Sequence, residues 1–80
     1  DLANRGESML GMILSEREQQ EIEYLLKREL DEMLYEFEDK RIEGVVKRAM
    51  EERYHMLFKL FSKVASPYLC SRYMRNRKYY

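Results

Sequence analysis

The chain has 80 residues, which is enough for one domain with a small core, and its formal net charge is zero, unlike the basic balance of most nucleic-acid-binding domains. With 45% hydrophobic and 38% charged residues but only three glycines and one proline, the composition excludes a disordered tail and indicates a helical domain. One cysteine excludes an internal disulfide, and no apolar run approaches the ~18 residues that span a membrane, so we expect a cytoplasmic protein.

The first predicted element is a helix over residues 15–38. We predict that residues 1–14 form a flexible leader, and that residues 15–80 form a single helical domain. Ser15 and Glu18 have the spacing of a capping box, in which each side chain accepts a hydrogen bond from the other residue's amide. The apolar residues that follow recur at helical period on one face: Ile22, Leu25, Leu26, Leu30, Met33, Leu34 and Phe37.

A second helix is predicted over residues 40–64, with Asp39 as its N-cap. One continuous helix, paired with other chains, is the competing interpretation. The charges favour a hairpin, because residues 16–38 carry nine acidic and three basic residues, whereas residues 39–63 carry four acidic and seven basic residues. Opposite charges attract when the two helices lie side by side.

A short third helix is predicted over residues 67–76, because Ser66 is a favourable N-cap and Pro67 suits the first helical position. The predicted fold is all-α, an antiparallel helical hairpin with a short third helix. Because a core of this size supplies only ~3 to 5 kcal/mol, we also expect assembly into a homodimer that resembles a four-helix bundle.

Glu29 and Arg53 each lie in the middle of an apolar arc, one on each long helix. In an antiparallel hairpin the two positions differ in height by roughly 4.5 Å, which is within the reach of an arginine. The sequence predicts a buried ion pair that fixes the register of the helices.

An aromatic stripe on the second helix widens its apolar arc beyond what one neighbouring helix covers. The third helix, a second copy of the chain or another protein could bury this stripe. The predicted partner or oligomer interface consists of Tyr54, Phe58, Phe61, Tyr68 and Tyr73.

Glu52 and His55 have the Glu-x-x-His spacing of di-metal bundles, and with Glu29 they form a candidate metal site. His55 falls on the polar side of the helix and Arg53 lies between the two, so we predict no metal and no other cofactor. Cys70 has no Cys-x-x-Cys partner and is interpreted as a small packed side chain.

Four cations follow the second helix without any acidic residue, interleaved with tyrosines: Arg72, Arg75, Arg77 and Lys78. They are candidate contacts to phosphates or to an acidic protein surface.

No catalytic motif is present in the sequence, so we predict a non-enzymatic protein–protein interaction module, acting as an adaptor, inhibitor or regulator through an apolar and aromatic helix face. A homodimer, another protein partner or both are expected, and no membrane. The alternative is a small nucleic-acid-binding regulator that uses the basic C-terminal segment.

Overall fold

A computed structural model of the protein describes residues 8–75. They form three helices, α1 (Glu16–Glu36), α2 (Gly44–Val64) and α3 (Pro67–Tyr73), and no strand. Residues 8–15 have no regular secondary structure. The all-α prediction is therefore confirmed for this part of the chain.

Helix α1 starts at the predicted capping box. The Ser15 Oγ accepts a hydrogen bond from the Glu18 amide at 3.1 Å, and the Glu18 carboxylate accepts one from the Ser15 amide at 2.9 Å. Both bonds satisfy amides that have no partner within the helix, so the start of the helix is determined by local sequence.

The start of α2 differs from the prediction. The Asp39 carboxylate accepts hydrogen bonds from the backbone amide and the guanidinium of Arg41, at 2.9 to 3.0 Å. This Asx turn extends the connection, and α2 begins at Gly44, whose φ of +66° suits glycine. Asp39 is therefore not the N-cap, and the predicted start at residue 40 is wrong by four residues.

Helices α1 and α2 lie side by side and run in opposite directions. Gln19 near the start of α1 donates a hydrogen bond from Nε2 to the Val64 carbonyl at the end of α2, at 2.9 Å. Glu29 and Arg53 meet halfway along both helices, at 3.1 Å. The structure is thus a hairpin, and the competing single continuous helix is wrong.

Helix α3 packs against the hairpin and completes the core. Ser66 caps it by accepting a hydrogen bond from the Leu69 amide at 3.3 Å, with Pro67 in the first turn. The buried apolar side chains come from all three helices: Leu30, Met33, Tyr54, Phe61 and Tyr73. Tyr73 meets the Phe61 ring edge to face at 5.4 Å, and its own carbonyl accepts a hydrogen bond from the Tyr54 hydroxyl at 2.7 Å.

Candidate interaction surface

The predicted aromatic interface lies mostly inside the molecule. Tyr54, Phe61 and Tyr73 are at most 5% exposed, and Phe58 is half-buried against the same cluster. Tyr54, Phe61 and Tyr73 thus offer no surface to a partner in this fold, because they are covered within the same chain by the packing of α3. Tyr68 is the one member of the set with an exposed ring, at 71%.

The predicted Glu29–Arg53 pair forms, but it is not buried. The Glu29 side chain is 39% exposed and the Arg53 side chain is 57% exposed, so water screens their attraction. The Arg53 guanidinium also donates a hydrogen bond to the sulfur of Met33, a core residue, at 3.5 Å. The expectation of burial is corrected, since the described residues place no helix over this position.

A second ion pair, which the sequence reasoning missed, is buried. Glu51 is 1% exposed, and its two carboxylate oxygens accept hydrogen bonds from Arg75 at 2.6 and 3.2 Å. The guanidinium also lies over the Phe37 ring, 4.1 Å from its centre, in cation–π geometry. Glu51 lies three residues before Tyr54 and seven before Phe58, so helical period places it on the aromatic stripe, but its partner lies beyond α3 and no spacing points to it.

The predicted basic surface is divided by this contact. Arg72 is exposed, whereas Arg75 is three-quarters buried against Glu51. Arg77 and Lys78 lie outside the described residues. One of the four candidate phosphate contacts therefore has a structural role within the domain.

A hydrogen-bonded chain holds α3 to α1. The Tyr73 hydroxyl donates to the Asp31 carboxylate at 2.8 Å, and Lys27 lies 3.4 Å from the same carboxylate. Burial raises the pKa of Tyr73, and the hydrogen bond to Asp31 raises it further. The pKa of Lys27 is raised as well. The largest cause is its hydrogen bond with Tyr73, followed by the charge of the Tyr73 phenolate and the charge of the Asp31 carboxylate.

Two contacts show which face of the hairpin α3 occupies. Tyr73 of α3 binds Asp31, and Asp31 lies two residues, or about 200° around α1, from Glu29. Glu29 in turn pairs with Arg53 across the α1–α2 seam. Helix α3 and the Glu29–Arg53 pair therefore lie on opposite faces of the hairpin.

The face opposite α3 carries exposed apolar side chains. Leu25 lies four residues before Glu29, and Met56 and Leu60 lie three and seven residues after Arg53, so all three share a face with the ion pair. They are 51%, 65% and 45% exposed. We call this surface, defined by Leu25, Glu29, Arg53, Met56 and Leu60, the open face.

A second exposed apolar segment precedes α1. Met9, Leu10, Met12 and Ile13 are 67% to 98% exposed in a segment without regular secondary structure. Only Leu14, next to the helix cap, is half-buried. The segment therefore adds apolar surface at the end of the hairpin where α1 begins.

The described residues show no cluster for metal chemistry. No three side chains of the metal-binding types come together among residues 8–75, so Glu29, Glu52 and His55 do not assemble into a site there. Cys70 is half-buried, with Sγ 4.0 Å from the Ala65 carbonyl oxygen. None of the three helices is long and apolar enough to cross a membrane.

No family model, curated protein or solved structure matches the chain. Its function is therefore inferred from the surfaces and contacts described above.

Proposed function

We propose that the protein is a non-enzymatic protein–protein interaction module that binds its partner through the open face. The observation that carries this proposal is the unequal cover of the hairpin. Helix α3 buries Tyr54 and Phe61 on one side, whereas Leu25, Met56 and Leu60 stay exposed on the other.

The open face has the composition of a binding surface. Leu25 of α1 and Met56 and Leu60, one turn apart on α2, supply the apolar side chains, and a hydrogen-bonded ion pair lies between the two helices. Such a stripe, rimmed by charged residues, gives an apolar contact in the middle and polar selectivity at the edge. The interaction surface predicted from the aromatic residues is thus relocated to the opposite face of α2.

Site-specific photo-crosslinking in the native host tests the proposal. Met56 is replaced by a photoreactive benzophenone amino acid, and Tyr24 is the matched control, because it is 57% exposed against 65% for Met56 but lies off the open face. We expect a protein adduct after irradiation of the Met56 variant and none, or a much weaker one, from the Tyr24 variant. Equal labelling at both positions, or no adduct at Met56, would overturn the proposal.

The mass of the adduct identifies the partner. An adduct of twice the 9.9 kDa chain mass indicates a second copy, and any other mass indicates a different protein. Either result supports an interaction module, so the identity of the partner is a separate question.

A further inference from the structure

We infer that the partner at the open face is a second copy of this chain, related by a two-fold axis parallel to the helices, so that α1 of each copy faces α2 of the other. This inference rests on the proposed interaction function and names its partner. It is carried by the charges beside the open face and by the heights at which the two helices pair.

The charges at the two sides of the open face are of opposite sign. On α1, Glu21 and Glu18 lie one and two turns before Leu25, and both are exposed. On α2, Lys59 and Lys63 accompany Met56 and Leu60, and both are exposed as well. A partner that places α2 against α1 matches lysines with glutamates, whereas α1 against α1 brings glutamates together.

This match selects one symmetry. Two open faces with aligned helices are related by a two-fold axis either along the helices or across them within the interface. The axis across the helices places α1 on α1, with like charges in contact. The axis along the helices places α1 on α2 of the partner, with charges of opposite sign in contact. Neighbouring helices are antiparallel with either axis, so the charges, and not the helix dipoles, select the symmetry.

The same axis fixes the register without further assumption. A two-fold axis parallel to the helices leaves each residue at its own height, so α1 meets the partner's α2 at the levels seen within one hairpin. Within one hairpin, Glu29 lies at the height of Arg53, and Gln19 lies at the height of Val64. Leu25 is then level with the gap between the partner's Met56 and the partner's Leu60.

The charged residues follow the same levels. Glu21 falls level with the space between the partner's Lys59 and the partner's Lys63. Glu18, exposed one turn before Glu21, falls close to the height of the partner's Lys63. Charges of opposite sign therefore meet along the seam at more than one level.

The arrangement also gives a role to the charged pair in the middle of an apolar face. In the dimer, the two Glu29–Arg53 pairs lie at the same height on either side of the axis, where each arginine can reach both carboxylates. Polar residues at the centre of a helical bundle are a known means of fixing register and partner number.

The available surface is sufficient for a specific dimer. Each long helix has 21 residues, so the open face measures about 31 Å by about 20 Å, or roughly 600 Å² for each copy. Two copies then bury roughly 1,200 Å², which lies at the lower end of the range for specific interfaces.

A charge exchange in the full chain, followed by sedimentation equilibrium at low salt, tests the arrangement. We expect the parent to sediment at twice the 9.9 kDa chain mass at micromolar concentration. Glu21→Lys or Lys63→Glu alone should weaken the dimer about tenfold, because each change places like charges together twice across the axis. The double variant should recover most of the lost affinity, since the exchanged charges attract again.

A parent protein that stays monomeric at millimolar concentration overturns the inference. A double variant no stronger than the two single variants overturns the α1-on-α2 arrangement. Leu60→Glu should also dissociate the dimer, whereas Ser62→Glu, exposed two residues away on another side of α2, should not. Circular dichroism on both variants verifies that the helices persist.

The two proposals fail in different ways. If the parent is monomeric but the Met56 variant crosslinks to another protein, the second-copy inference is wrong and the interaction function stands. If neither a dimer nor an adduct forms, both are wrong.

Discussion

The two faces of the hairpin are built from the same two helices but differ in how far their apolar side chains are buried. On the covered face, α3 brings Tyr73 onto Phe61 and Tyr54, and all three rings lose nearly all contact with water. On the open face, Met56 and Leu60 are at comparable heights on α2 but keep about half of their surface or more. The comparison shows that helical period defines the apolar faces of α2, whereas the face with the large aromatic rings is the one that becomes the core.

Each face also carries an ion pair, and the two pairs differ in environment. Glu51 and Arg75 join through two hydrogen bonds with the carboxylate fully buried. Glu29 and Arg53 join through one hydrogen bond with both side chains reachable by water. Stability should therefore depend strongly on the first pair and weakly on the second.

The largest expected effect is on the covered face. Phe61→Ala removes a fully buried ring and should cost about 3 to 5 kcal/mol, most of the stability of a domain of this size. Leu60→Ala changes the preceding residue, which is 45% exposed, and should cost about 1 kcal/mol or less in the monomer. Urea unfolding at high dilution measures both, and equal losses would mean that the two faces do not differ as described.

The ion pairs give the second comparison. Arg75→Met leaves the buried Glu51 carboxylate without the two guanidinium hydrogen bonds and should cost on the order of 3 kcal/mol. Arg53→Met, the same change on the open face, should cost about 1 kcal/mol or less in the monomer. Adding Glu51→Leu to Arg75→Met should recover much of the loss in urea unfolding. A loss from Arg53→Met as large as that from Arg75→Met would contradict the difference in burial.

The smallest expected effect concerns the hydroxyl that ties α3 to α1. Tyr73→Phe removes the hydrogen bond to Asp31 and should cost about 1 kcal/mol at neutral pH. Because burial raises the pKa of Tyr73, the unfolded chain loses its phenolic proton first, near pH 10. The stabilisation is complete below that pH and is lost as the pH rises through the folded pKa.

Thermal melting between pH 8 and 11 measures the slope of stability against pH. We expect it to flatten in Tyr73→Phe, which also removes the hydrogen bond that raises the pKa of Lys27. Tyr24→Phe is the control, since that ring is 57% exposed and should leave the slope as in the parent. A slope that persists in Tyr73→Phe would place the titrating group elsewhere.

Much of the fold could be predicted from local sequence. The Ser15–Glu18 capping box and the Ser66–Pro67 start are local hydrogen-bonding patterns, and both are present in the structure. The position of the turn could not be predicted as well. Asp39 suits either an N-cap or an Asx turn, and its choice depends on the nearby Arg41, whose guanidinium it also binds.

The candidate surface was harder to predict, because it depends on contacts between distant elements. Helical period located the apolar arc of α2 but not which part of it α3 covers, so Tyr54 and Phe61 were assigned to a partner. Helical period places Glu51 on the face of Tyr54 and Phe58, but the sequence does not show which cation meets it there. Its burial depends on Arg75, which reaches it only after α3 has packed.

The Glu51–Arg75 contact has a consequence for folding. Until the ten residues from Ser66 to Arg75 have packed, the α1–α2 hairpin holds the Tyr54 and Phe61 rings and the Glu51 carboxylate without their cover. Partly folded chains that expose such apolar surface are prone to aggregate. The last helix and Arg75 therefore turn an exposed hairpin into a closed domain.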